Sequence, residues 1–165
     1  MLRRGAPWVL ILVLLGVLFV RGRSDEPAAR AGSVAARVVR VVDGDTAVVA
    51  LAGNPTERVR YIGIDTPEDV KPGTPVQCFS RRAAARNAQL VEGRRVRLRF
   101  DAERRDRYGR LLAYVYRNGD FVNARLVAEG YARPYPYPPN TAHAREFARL
   151  ARRAAARGRG LWSRC

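Results

Sequence analysis

Three β-branched runs, at residues 38–42, 46–51 and 59–64, follow one another with only Asp43-Gly44-Asp45 and a stretch around Gly53-Asn54-Pro55 between them. Val, Ile and Thr fit a pleated strand, whereas Gly, Asn, Asp and Pro supply tight turns. Connections this short leave no room for a crossover helix, so neighbouring strands must run antiparallel, as a three-stranded meander. The rest of the chain has to build on that sheet.

Two further strands follow. Residues 94–100 alternate Val96, Leu98 and Phe100 with Arg95, Arg97 and Arg99, which reads as a half-buried strand with an arginine face. Residues 111–116 form the fifth strand, closed by the turn Asn118-Gly119. Between the third and fourth strands, residues 70–76 with Pro72, Gly73 and Pro75 read as a loop. Ser80 is placed to cap a helix running to Val91, stopped by Gly93. A short helix is expected over 123–129, stopped by Gly130, and a basic, alanine-rich helix over 143–157, ending at Gly158. Residues 131–140 hold four prolines and cannot be regular structure. These elements give an α+β protein with five strands and about three helices. Propensity alone fits an open sheet and a closed barrel equally well.

The first residues have another character. Arg3 and Arg4 precede an apolar run at 8–20, and Arg21 and Arg23 follow it. The run is shorter than the roughly 20 residues of a full membrane span and longer than a signal core requires. Residues 1–23 are expected to be an export signal or signal anchor and 24–33 a linker, leaving one domain at 34–165. The protein is then exported: secreted, periplasmic or anchored in the cell membrane.

The formal net charge is +16, of which the domain keeps most, because the first thirty residues hold only five arginines and two acids. Such an excess points to a polyanionic partner, and nucleic acid is the expected one. With one histidine and two cysteines, a Cys/His zinc site is implausible. A serine triad would have to use His143, far from the other polar clusters. Catalysis therefore falls to carboxylates, arginines and metal. Asp43, Asp45, Asp65, Glu68 and Asp69 crowd one short region of this basic chain. A divalent cation, which takes hard oxygen ligands and a phosphate oxygen together, reconciles that crowding with phosphate binding.

Three stretches carry this polar chemistry: residues 41–46 with their paired aspartates, Arg60-Tyr-Ile-Gly-Ile-Asp-Thr-Pro-Glu68, and Asp106-Arg-Tyr-Gly-Arg110. In this order, with Gly109-Arg-Leu-Leu-Ala-Tyr-Val-Tyr116, Val122-Asn-Ala-Arg-Leu-Val127 and Leu161-Trp-Ser163, they resemble the thermonuclease, or staphylococcal nuclease-like, family over residues 34–162. The resemblance implies a five-stranded Greek-key barrel of the OB type, whose face commonly binds oligonucleotides. It also implies a calcium-dependent, largely non-specific nuclease that hydrolyses DNA and RNA to 3′-phosphate products. Asp45 and Asp65 match carboxylate ligands of calcium, Thr66 a backbone carbonyl ligand, and Asp43 a nearby acid that does not ligate. Glu68 matches a position beside the attacking water, where a carboxylate can order it or take its proton. Arg60 and Arg110 match the two phosphate-binding arginines, a task that suits the guanidinium fork. Tyr108, Tyr135 and Tyr137 match aromatic positions around the nucleotide. The alternative is a catalytically inactive OB-type module that binds nucleic acid while tethered to the envelope. A monomer with no protein partner is expected, and contact with membrane only through the N-terminal segment.

Strict strand alternation puts Arg60 and Asp65 on opposite faces, so both reach one site only if the chain bends, and Gly63 is the expected place for the bend. If the chain is exported, its two cysteines mature where thiols oxidise. A Cys78–Cys165 bridge would then staple the C-terminal tail beside the active-site loop, the alternative being two unpaired small residues.

Overall fold

The computed structural model describes residues 32–53, 55–68, 73 and 75–165. The expected export signal over 1–23 lies outside the described residues, as do most of the linker and Asp69. Among the described residues no helix is long and apolar enough to cross a membrane.

The meander is present as β1 (Ser33–Val41), β2 (Thr46–Leu51) and β3 (Thr56–Tyr61), with Val38 opposite Val49 and Ala47 opposite Val59. β1 also pairs antiparallel with β5 (Arg95–Arg99), and β5 with β6 (Leu111–Arg117). β6 then returns beside β3 in parallel, Val59 opposite Leu111 and Tyr61 opposite Ala113, which closes the sheet into a five-stranded barrel. Alternation sends Val38, Val49, Val59, Leu98 and Val115 inward, each at most 1% exposed. Each such side chain contributes about 1.5–3 kcal/mol by leaving water.

Between β3 and β5 lies α1 (Ser80–Val91), which buries Ala83, Asn87, Leu90 and Val91. The Asn87 side chain accepts a bond from the Tyr61 hydroxyl (3.1 Å) and donates to the Asp43 carbonyl (3.0 Å), tying helix to barrel. Ser80 does not cap this helix. Phe79 precedes it with φ 72°, turning the chain so that its ring docks on Tyr131 (5.3 Å), and Ser80 is already the first helical residue, its hydroxyl buried.

The third strand also begins and ends three residues earlier than expected. It stops at Tyr61, turns at Ile62 and Gly63, and resumes as β4 (Ile64–Asp65), which pairs with β8 (Arg133–Pro134) in the proline-rich segment. Gly63 is required here twice over: its φ is 77°, and a Cβ on it would sit 2.7 Å from the Phe147 ring. Phe147 belongs to α3 (Ala144–Ala156), which packs on α2 (Val122–Ala128), itself entered from the short β7 (Asp120–Phe121). One turn, α4 (Leu161–Arg164), ends the chain.

Candidate active site

Two bends, one between β1 and β2 and one at Gly63, bring the acids together. In the first, the Asp45 N–H donates to the Asp43 carboxylate (3.0 Å) and Val42 N–H to the Thr46 carbonyl (2.9 Å), a tight polar turn. The Asp45 carbonyl takes the Tyr61 N–H (2.9 Å), so the turn is pinned to the end of β3. Gly44 lies against Thr66, and a Cβ there would come within 2.6 Å of the threonine hydroxyl. Any side chain at 44 would push Thr66 away from Asp45.

The Asp45 side chain is 6% exposed and holds a full set of partners. One oxygen accepts the Thr66 N–H (2.7 Å) and hydroxyl (3.0 Å); the other accepts the Thr46 hydroxyl (3.3 Å) and lies 3.1 Å from Arg60 Nη1. Burial pushes its carboxyl up to about 7, with Asp43 and Asp65 adding to the rise and Arg60 pulling it back. Asp65 is more exposed, and its carboxyl is also raised, first by partial burial and then by Glu68 and Asp43, against the pull of Arg60.

Arg60 joins these groups. Its Nη2 donates to Asp65 (2.8 Å), while Nη1 donates to the carbonyls of Tyr61 (3.1 Å) and Ile64 (2.8 Å) across the Gly63 bend. The bend that alternation demanded therefore exists, and the arginine laces it shut. The five-residue separation no longer separates Arg60 from Asp65.

Arg110 comes from the turn before β6. Asp106 shapes that turn, accepting the N–H groups of Tyr108 (2.9 Å) and Arg110 (3.0 Å) on one oxygen and Arg110 Nε (2.7 Å) on the other. Because Arg60 pairs with Leu112 across the parallel β3–β6 seam, and Arg110 is two residues before Leu112, both arginines emerge on the same outer face. There they wall a cleft of about 480 Å³ together with Asp65, Tyr108, Tyr135 and Tyr137. Tyr108 is 68% exposed, with the Arg107 and Arg110 guanidinium groups 4.8 and 5.5 Å from its ring centre. Tyr135 donates its N–H to the Gly63 carbonyl (2.8 Å), which fastens the proline-rich segment to the bend.

Asp45, Thr66 and Glu68 do not line that cleft. Thr66 borders a neighbouring cavity of about 200 Å³ with Asp65, Gln77, Arg133 and the disulfide-bonded Cys78 and Cys165, whose α-carbons are 5.8 Å apart. Glu68 is half-buried at the start of a loop whose base is closed by Gln77: the Glu68 N–H donates to the Gln77 side chain (2.8 Å) and the Gln77 N–H to the Glu68 carbonyl (2.8 Å).

Asp106 and Gln77 are the residues that sequence reasoning missed. For Asp106 a signal existed, since an Asp two residues before an N–H it can accept is an Asx turn. For Gln77, nine residues from Glu68, there was none.

The oxygen set around Asp45, Asp65 and Thr66 suits a hard cation. No three His, Cys, Asp or Glu side chains form a metal-binding group among the described residues. Two carboxylates sharing one guanidinium, with Asp43 close by, nonetheless hold more negative charge than Arg60 offsets. A cation that completes its shell with water and substrate oxygens fits such a set, whereas one that needs nitrogen or sulfur ligands does not.

Residues 58–164 match the family described as staphylococcal nuclease homologue. The chain is 42% identical over 127 residues to the thermonuclease of Staphylococcus intermedius, covering 77% of this chain and 75% of that protein. Identity is 39% over 127 residues to the thermonuclease of Staphylococcus hyicus, with the same shares. It is 45% over 127 residues to the SPbeta prophage-derived endonuclease YokF of Bacillus subtilis (strain 168), covering 76% of this chain but only 43% of that protein.

Proposed function

The chain belongs to the staphylococcal nuclease family, and from that premise we propose that it is a nuclease that uses calcium to hydrolyse phosphodiester bonds of DNA and RNA, leaving 3′-phosphate ends. The observation that carries the reading is the cleft at the β3–β6 seam, where Arg60 and Arg110 stand beside three tyrosines and Arg60 touches both Asp45 and Asp65. Basic groups alone would bind nucleic acid; the acid pair beside them, Asp45 buried and Asp65 exposed, supports catalysis.

Asp45, Asp65 and the Thr66 carbonyl would hold the calcium, which when bound polarises a phosphoryl oxygen and makes water more acidic. The protein's own groups do the rest. Arg110, anchored through Nε, has both terminal nitrogens available for phosphate oxygens, and donors fixed in this way stabilise charge that builds as phosphorus is attacked. Glu68, held in place by its two backbone bonds to Gln77, takes the proton of the attacking water as the water oxygen bonds to phosphorus and the P–O5′ bond breaks, O5′ leaving as an alcohol with a proton from solvent. Tyr108, Tyr135 and Tyr137 give flat surfaces on which bases or sugars stack regardless of sequence.

The apolar run at 8–20 supports, in the same reading, an export signal or an anchor and an activity outside the cytosol. The testing experiment incubates the purified protein with single-stranded DNA, with calcium or with excess chelator. Cleavage only with calcium is expected. Cleavage undiminished in chelator refutes the metal role, and binding without cleavage under either condition refutes the enzyme in favour of a binding module.

A further inference from the structure

The arginine face foreseen on β5 is not used by the cleft. Across the antiparallel β1–β5 pair, Arg37 stands directly opposite Arg95, Ala35 opposite Arg97 and Ser33 opposite Arg99. Paired residues share a face, and the intervening Ala36, Val38, Val96 and Leu98 are buried. Arg37, Arg95 and Arg97 therefore all point outward and are exposed, with the small Ser33 and Ala35 beside them on the same face. At the end of the row Arg99 lies over the Tyr116 ring, 5.4 Å from its centre.

Two like charges directly opposite one another destabilise a sheet. Elsewhere this chain offsets such charge: Glu129 pairs with Arg86 and Arg125, Glu57 with Arg105, and Asp106 with Arg110. On this face it does not. Among the described residues Arg37, Arg95 and Arg97 make no ion pair. The row repeats about every 7 Å along β5, two residues of strand rise. A regular row of positive charge suits a polymer with regularly spaced negative charge better than a single anion. Val39 is the one exposed large apolar residue on β1 or β5, too little for insertion into lipid.

The barrel order sets where this face lies. Around the ring β3-β2-β1-β5-β6, β1 lies across the barrel from the β3–β6 seam, and β5, though beside β6, pairs with Tyr114–Tyr116 and not with the Arg110–Leu112 end that walls the cleft. We propose that the outer face of β1 and β5, centred on Arg37, Arg95 and Arg97, is a second nucleic-acid-binding surface that holds the phosphate backbone of a long strand away from the cleft. The choice of nucleic acid as occupant rests on the nuclease reading. A strand must be long enough to pass around the barrel to use both surfaces, so the face selects polymer over short oligonucleotide and leaves the chemistry of the cleft untouched.

The test measures binding of the full chain in chelator, by fluorescence anisotropy, to a labelled single-stranded 40-mer and a labelled tetranucleotide over a range of salt. The variant Arg37→Gln/Arg95→Gln/Arg97→Gln is compared with Arg149→Gln/Arg152→Gln/Arg153→Gln, which removes equal charge from the exposed side of α3. Three single-strand phosphate contacts account for a slope of about 2 in log affinity against log salt, or about a hundredfold in affinity at 0.1 M salt. The first variant is expected to lose that much for the 40-mer with a correspondingly shallower slope, to keep its tetranucleotide affinity, and to melt no lower than the parent. The α3 variant should lose less than threefold. Equal losses in both variants would show diffuse attraction and overturn the proposal, as would an unchanged 40-mer affinity. Loss of sedimentation with phosphatidylglycerol vesicles at unchanged 40-mer affinity would assign the face to lipid and also overturn it. Because binding is read without turnover, a 40-mer loss specific to the β1–β5 variant supports the surface even if the parent fails to cleave DNA with calcium, an outcome that refutes only the nuclease reading.

Discussion

Asp45→Asn should disable the enzyme and stabilise the protein. The Asp45 carboxyl is pushed up to about 7 by burial, although Arg60 is 3.1 Å away. An unfolded chain returns it to about 3.9. The native state thus binds this proton more tightly than the unfolded state, so the carboxylate costs nothing below about pH 4. Its cost grows as pH rises towards 7 and is constant above that. At about 1.4 kcal/mol per pH unit, the ceiling is about 4 kcal/mol. Asparagine removes the ionisation but faces Thr66 and Arg60 with one amide oxygen instead of a carboxylate, losing bonds worth about 1–3 kcal/mol. The expected net gain is about 1–3 kcal/mol at pH 8, falling to zero or below at pH 4. Urea denaturation in chelator between pH 4 and pH 8 measures it, and calcium should raise the stability of the parent but not of the variant. A variant less stable at pH 8, or a difference that does not change with pH, would show that the buried charge carries no such cost.

Arg110→Ala should lower turnover on the order of a hundredfold with the fold intact, and Arg110→Lys should recover only part of it, since a point charge cannot replace the fork. Arg60→Ala should lose as much activity and also about 1–3 kcal/mol of stability, because it removes the two carbonyl bonds that hold the Gly63 bend and the partner of Asp65; parental cleavage by both alanine variants would end the site assignment. Glu68→Gln should slow turnover while calcium affinity, measured by titration calorimetry, stays within a fewfold; a matching loss of affinity would make Glu68 a ligand. Reducing the Cys78–Cys165 bond, which closes 87 residues, should lower stability by up to roughly 4 kcal/mol, and free thiols at both positions in exported protein, seen by mass spectrometry, would refute the bond. The full chain should fractionate with the envelope and residues 31–165 in the soluble fraction; equal solubility of the two would refute the export reading.

Features set by neighbours in sequence were legible before the structure. The meander, the basic helix α3 and the need for a bend near Gly63 all follow from period, turn residues and the odd spacing of Arg60 and Asp65. Features set by distant segments were not. The parallel β3–β6 pair closes the barrel with residues about fifty positions apart, and nothing local in either strand announces a partner. The cap at Ser80 failed for the same reason: Tyr131, far along the chain, captures the Phe79 ring and shifts the helix start by one residue. The site follows suit. Its charged residues were visible in their motifs, but Gln77, which fixes the Glu68 backbone, is reachable only through the folded loop.

The two arginines matched by one motif pattern are not equivalent once their partners are counted. Arg60 gives Nη1 to two backbone carbonyls and to the neighbourhood of Asp45, and one Nη2 hydrogen to Asp65. Of its five N–H donors, only Nε–H and the other Nη2 hydrogen are left for a phosphate. Arg110 gives Nε to Asp106 and keeps both terminal nitrogens for the cleft. Arg60 is thus first the group that holds the Gly63 bend and the two aspartates together, and in the proposed mechanism only second a phosphate donor. Arg110 is the reverse, a side chain aimed by Asp106 with its fork free. An oxygen-ligated cation at Asp45 and Asp65 would compete with Arg60 for those carboxylates and release donors to the substrate. In the proposed mechanism cation and phosphate binding would therefore be coupled through this one guanidinium, and each would strengthen the other by the same factor.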